Sequence, residues 1–394
     1  MILRGSSRYV RAPIDKLGWY GLWVRHRLLK YILDGTPILL TLQNHRTPWR
    51  TSLMQFFSFL GTEDCFTCII PLLTWILDAR LGRLFTILLS VGFYIAGFFK
   101  CFFCLPRPPV PPIVPLAKEE GDWAFPSNHC TVGVLLPWYL WIYTTLHYDW
   151  WPWWARVLLF FVALTWFGGV TLSRLYLGVH SPADMAAGAV AGVWILAVFV
   201  LMDDYIDYQC VAGEYVVPKA LLLANFLLYI HPRTNPETNS YGESVILTGS
   251  TVGVVASRMI TFKAVGRYSL LQSLKHFNES PWQTLLWRSA LRLVIGTTLI
   301  VGGRIVLKPL LRNLCYKFYA YLDVPAYSYK DYSQQYPPTT KHYTEAYRLP
   351  PLPTYDSLME SSLEDNDGED GTEEANLLPK TEKFIENKLS NWPA

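Results

Sequence analysis

Six long apolar stretches restrict this chain more than any other feature: Leu84 to Phe99, Cys130 to Leu146, Val157 to Leu172, Ala183 to Met202, Val245 to Ile260 and Leu285 to Leu307. A bilayer crossing needs about 20 largely apolar residues, and fewer where flanking polar groups snorkel to the interface. Each stretch is therefore expected to be a membrane helix. Ala220 to Ile230 is a shorter candidate. Residues 52–77 are ambiguous, because Glu63 and Asp64 interrupt them and Pro71 sits in their second half, so they fit either one bent span or two short ones. With 51% hydrophobic and 15% aromatic residues, the composition is that of a polytopic membrane protein rather than a soluble domain.

The chain divides by composition into four parts. Residues 1–50 carry nine Lys/Arg against Asp15 and Asp34 and lack a signal peptide's apolar core and cleavage site. Within them, Tyr9 to Leu33 fits a basic amphipathic helix on an anionic membrane surface, or equally a helix packed on the bundle. Residues 51–210 form the expected catalytic membrane domain, and residues 211–307 add further transmembrane helices. From Lys308 to the end at 394 the chain turns Pro- and Tyr-rich and then acidic, with nine carboxylates from Asp356 to Glu374, which predicts a disordered tail. Basic residues form no nucleic-acid-like stripe. Trp150, Trp151, Trp153 and Trp154 read as an interfacial anchor between two spans. Cys65-x2-Cys68 and Cys101-x2-Cys104 have the internal spacing of zinc ligands, but seven cysteines at otherwise irregular spacings fit buried thiols better. A local disulfide between Cys101 and Cys104 stays open.

Three polar motifs interrupt the apolar chain. In the last, Ser173-Arg174 through His180-Ser-Pro-Ala-Asp184, Pro182 fits a first helical turn with Ser181 as its cap. His180 and Asp184 are four residues apart, so the carboxylate can face the imidazole and hold its tautomer, or it can serve only as a cap. Lys100 and Arg107 supply two more cations, and Pro126-Ser127-Asn128-His129 opens the next apolar stretch with a hydroxyl and a second imidazole. Counting spans places all three motifs on one membrane face.

The pattern Lys-x6-Arg-Pro, Pro-Ser-x-His, Ser-Arg-x5-His-x3-Asp resembles the type 2 phosphatidic acid phosphatase (PAP2) superfamily of membrane lipid phosphatases and vanadium haloperoxidases. Over roughly residues 50–210 the order, spacings and key residue types match; Asn128 departs, at a site usually glycine, serine or threonine. The resemblance implies an all-α polytopic bundle, a six-helix catalytic core with extra C-terminal helices, about 7–9 spans in all. It implies His180 as nucleophile, His129 as general acid and Asp184 as the residue orienting His180. Lys100, Arg107, Ser127, Asn128 and Arg174 would bind phosphate. No metal and no cofactor is expected, because the cations supply the charge. The run from Cys104 through Pro112 and the long C-terminal extension look like the sphingosine-1-phosphate, or long-chain-base phosphate, phosphatase branch. That implies a phosphorylated lipid substrate, the endoplasmic reticulum membrane and a luminal site. If residues 52–77 cross once, the basic N-terminal segment shares the site's face, and positive-inside reasoning makes that face cytosolic. A broader phosphatase of phosphatidate or polyprenyl diphosphate would use the same residues, and a non-catalytic lipid-binding adaptor is the alternative of another class.

Overall fold

A computed structural model describes residues 19–110, 112–117, 122–234, 238–279 and 282–322. The residues from 323 onward, including the acidic tail, and residues 1–18 lie outside them. Among the described residues there is no strand, and the protein is an all-helical membrane bundle. Its helices are α1 (Trp19–Asp34), α2 (Thr36–Asn44), α3 (Pro48–Phe59), α4 (Glu63–Leu72, continued by a π turn at Leu73–Leu77), α5 (Ala79–Phe103), α6 (Asn128–His147), α7 (Trp153–Tyr176), α8 (Pro182–Ala212), α9 (Val216–Ile230), α10 (Asn239–Glu279) and α11 (Trp282–Tyr321). Local chemistry starts several of them. The Asp78 carboxylate accepts from the Arg80 amide at 2.8 Å to cap α5, and Ser127 Oγ accepts from the Cys130 amide to cap α6. Ser181 and Asp184 form a reciprocal capping box on α8, as their spacing predicts.

α5 is the central helix, packed against α6, α8 and α10 through Leu84, Phe85, Leu88 and Leu89. α6 and α8 approach closely. A Cβ at Gly188 would lie 2.7 Å from the Ser127 carbonyl oxygen, so only glycine lets α8 touch the start of α6. α7 and α11 instead turn Leu158, Phe161, Val162, Leu299 and Ile305 outward. Apolar faces of that extent suit lipid, not water.

By length and composition, four described helices can cross a membrane: α5, α7, α8 and α11 from Leu286; five if α3 and α4 make one span across their 57° bend. This is fewer than the seven to nine expected. α6 falls short because it buries Thr131, Tyr139, Tyr143 and Thr144 against its neighbours, so a helix inside the bundle need not be uniformly apolar. α9 is a short apolar helix of 15 residues.

The N-terminal helices sit beside the motif loops. Arg25, buried, donates to the carbonyls of Phe103 and Cys104 at the C-terminus of α5, where the helix dipole favours a cation. Gln43 on α2 donates to the Val114 and Tyr176 carbonyls and accepts from the Val114 amide, tying the loop after α5 to the end of α7. Residues 19–47 thus share the face that carries the motifs. At the opposite end, Asp78 accepts from Tyr143 and Tyr148, Asp203 accepts from Tyr139, and Arg80 and Arg83 pair with Asp204 and Asp207.

Candidate active site

The three motifs meet where α5 ends and α6 and α8 begin. Lys100, in the last turn of α5, donates to Asp122 Oδ2, and Arg107 reaches across the following loop to the carbonyls of Asp122 (3.0 Å) and Val179 (2.8 Å). Burial works against ionisation of Asp122, but Lys100 and Arg107 outweigh it and hold its carboxyl below the ordinary range. Arg174, at the end of α7, is buried and donates to Ser58 Oγ at 2.7 Å. The turn between α3 and α4 closes over the second motif, since a Cβ at Gly61 would lie 2.9 Å from the His129 ring.

His180 lies between α7 and α8, 1% exposed. Burial, then Arg107, Arg174, Lys100 and His129 in turn, hold its imidazole well below the usual histidine range. A neutral imidazole among cations has the chemistry a nucleophile toward an anion needs. His180 Nδ1 stands 3.6 Å from Asp184 Oδ2, beyond hydrogen-bond length. That oxygen already accepts from the Ser181 amide at 2.7 Å, while His180 Nδ1 and Asp184 Oδ1 are both buried without a partner. Asp184 therefore does cap its helix, and it also stands one small movement from His180 Nδ1.

Of the expected phosphate ligands, Lys100, Arg107 and Arg174 surround His180 electrostatically. Ser127, fully buried, caps α6 and keeps its hydroxyl proton to donate. Asn128 is different: its amide nitrogen donates to Glu243 Oε2 at 3.3 Å. Sequence reasoning missed Asp122, Ser58, Ser240 and Glu243. Ser240 Oγ donates to Asp122 Oδ1 at 2.8 Å, so the first turn of α10 is fastened to the loop that holds Lys100. Glu243 alone left a trace in the sequence, as a carboxylate two residues before an apolar span. Cys101 and Cys104 are unbonded thiols, and among the described residues no three His, Cys, Asp or Glu side chains are grouped to hold a metal.

Residues 80–207 match the PAP2 superfamily. A probable sphingosine-1-phosphate phosphatase of Dictyostelium discoideum is 28% identical over 244 residues, 59% of this chain and 59% of that relative. Dihydrosphingosine 1-phosphate phosphatase YSR3 of Saccharomyces cerevisiae is 25% identical over 258 residues, 63% of this chain and 62% of the relative. The chain thus spans about three fifths of the length of these relatives. A transmembrane PAP2-type phosphatidylglycerolphosphate phosphatase from Bacillus subtilis has a TM-score of 0.40 and 19% identity, over 48% of this chain and 96% of its own.

Proposed function

We propose that this chain, which belongs to the PAP2 superfamily, is an integral-membrane phosphatase that hydrolyses the phosphomonoester of sphingoid-base 1-phosphates. The substrate class follows the relatives, whose names specify sphingosine and dihydrosphingosine 1-phosphate. The observation that carries the reaction is His180, buried, with the cations Lys100, Arg107 and Arg174 and the His129 imidazole as its neighbours and Asp184 behind Nδ1. Lys100, Arg107 and Arg174 also tie their segments together, but three cations gathered around one neutral imidazole exceed what those ties require.

In this mechanism Lys100, Arg107 and Arg174 bind the phosphoryl oxygens, the arginines through paired N–H groups. Ser127 and the first amides of α6 add donors at the positive end of that helix. Burial, Lys100 and Arg107 hold the His129 imidazole down at a pKa of about 3, and a bound phosphate anion offsets those cations so that His129 can take up a proton. His180 Nε2 attacks phosphorus as the bond to the lipid oxygen breaks, and His129 gives that proton to the departing alkoxide. Asp184 closes on Nδ1–H and stabilises the imidazolium as charge develops. Water then attacks phosphorus, His129 takes the water's proton, the P–N bond breaks and phosphate leaves.

A phosphohistidine is acid-labile and base-stable, which gives the test. Protein quenched in alkali during turnover of 32P-labelled sphingosine 1-phosphate should carry label on the peptide containing His180. Label on another residue, or none despite turnover, would refute the covalent route.

We assign the protein to the endoplasmic reticulum membrane with its pocket at the luminal interface. Residues 19–47 lie on the pocket's side, so a luminal pocket carries them into the lumen, against the positive-inside tendency. An epitope inserted at Arg46 should be protected from protease in sealed microsomes. Its digestion there would make the pocket cytosolic.

A further inference from the structure

We infer that Asn128 and Glu243 form an ammonium site beside the phosphate pocket, which takes the free primary amine of the substrate and selects phosphorylated long-chain amines over lipid phosphates without one. This deepens the phosphatase reading and rests on it.

Two acceptors converge there. Asn128 is 5% exposed; its amide nitrogen is spent on Glu243 Oε2, while its Oδ1 is buried with no hydrogen-bond partner. A buried carbonyl-type oxygen without a donor costs stability, so its neighbourhood is completed by a ligand that donates. Glu243 is half-buried, and no Lys, Arg or His forms an ion pair with it among the described residues. Its charged neighbours are Lys100, which Asp122 already holds, and two further carboxylates, Asp122 and Glu63. Burial and those carboxylates push the Glu243 carboxyl up to about 7, so a donor cation is what would hold it ionised, and with the unmatched Asn128 oxygen it suits a group with several N–H bonds. An alkylammonium offers three donors and no acceptor.

The position fits the substrate's connectivity. Asn128 adjoins His129, the residue that protonates the leaving oxygen, and in a sphingoid-base 1-phosphate the amine is on the carbon next to the one bearing that oxygen. An ammonium held by Asn128 and Glu243 would lie at the same helix start that carries His129, a short chemical distance from the scissile bond. Glu243 lies beyond the 80–207 match, on α10, and Ser240 fixes that helix to Asp122. A helix outside the matched region thus supplies the selectivity, while the cations and histidines inside it supply the chemistry. The asparagine that departs from the superfamily pattern gains a purpose: glycine or serine there could not bridge to Glu243.

The test compares sphingosine 1-phosphate with the same lipid carrying hydrogen in place of the amine. kcat/KM for each is measured on the full chain in detergent, for wild type and Glu243→Gln, and binding of both lipids is measured on His180→Ala protein with and without Glu243→Gln. Wild type should prefer the amine, and Glu243→Gln should lower that preference ratio about 10-fold to 100-fold. An equal loss on both lipids, an unchanged ratio, or a wild type indifferent to the amine would overturn the ammonium site while leaving the phosphatase intact. If wild type hydrolyses neither lipid, the phosphatase reading fails by itself, and binding still decides: amine-dependent affinity lost with Glu243 upholds the site, and equal affinity for the two lipids overturns it.

Discussion

The two ends of the bundle are both rich in charge, and they treat it in opposite ways. At the end away from the motifs, Asp78, Asp203, Asp204 and Asp207 each accept from a tyrosine or an arginine of a neighbouring segment. At the motif end, His180 Nδ1, Asp184 Oδ1 and Asn128 Oδ1 are buried without partners, and cations crowd a neutral imidazole. The first arrangement offsets nearly every charge within the protein, with Arg80 Nε kept by an ion pair to Asp207 alone, and holds helices together. The second is complete only with a ligand, and its open groups describe that ligand: anionic oxygens before the cations, a donor before Asn128.

This contrast can be broken most sharply at Arg174. Arg174→Ala should lower kcat about 100-fold to 1,000-fold by removing charge stabilisation of the phosphoryl group, and Arg174→Lys should recover only part of it. Asp184→Asn keeps a side chain able to accept from the Ser181 amide, so it separates capping from orientation. An orienting role predicts a fall in kcat of about 100-fold at little cost in stability, and a capping role alone predicts almost none.

The pH profile sharpens the same point. The proposed nucleophile is neutral His180, whose imidazole is held well below the usual histidine range by burial and the nearby cations. kcat/KM, corrected for ionisation of the substrate phosphate, should not fall as pH drops through 6.5, because His180 stays neutral there while His129, also held low, gains the proton it donates; the fall comes only well below 6.5. Replacing Lys100 with methionine removes one of those cations and should move the drop to higher pH.

The smallest effect on activity is expected at the paired end. Asp207→Asn weakens the bonds to Arg80 and Arg83 and should cost about 1–3 kcal/mol of stability, read as a lower Tm in detergent, with kcat at 25 °C changed less than about twofold. A large loss of kcat with unchanged Tm would erase the distinction between the ends.

What the sequence disclosed follows the same division. Lys100, Arg107, His129, Arg174, His180 and Asp184 were legible because charge in an apolar chain demands a reason, and their spacings keep a register that three helix ends bring together. Asp122, Ser58 and Glu243 were not, because they arrive by packing of a loop, α3 and α10 across long sequence separations. Asn128 was read from its motif position as a phosphate ligand, whereas its amide is turned to a residue 115 positions away. Four or five described helices are long and apolar enough to cross a membrane, against the seven to nine expected, and the buried tyrosines and threonines of α6 and the bend between α3 and α4 are products of tertiary context that hydropathy does not carry.

Phosphate release from sphingosine 1-phosphate by purified, detergent-solubilised wild type and His180→Ala, with EDTA present, tests the central claim most directly. The expected result is steady turnover by wild type and a loss of about 1,000-fold or more in the variant. Equal release by the two proteins would contradict His180 as nucleophile, and no release by either would contradict the phosphatase itself.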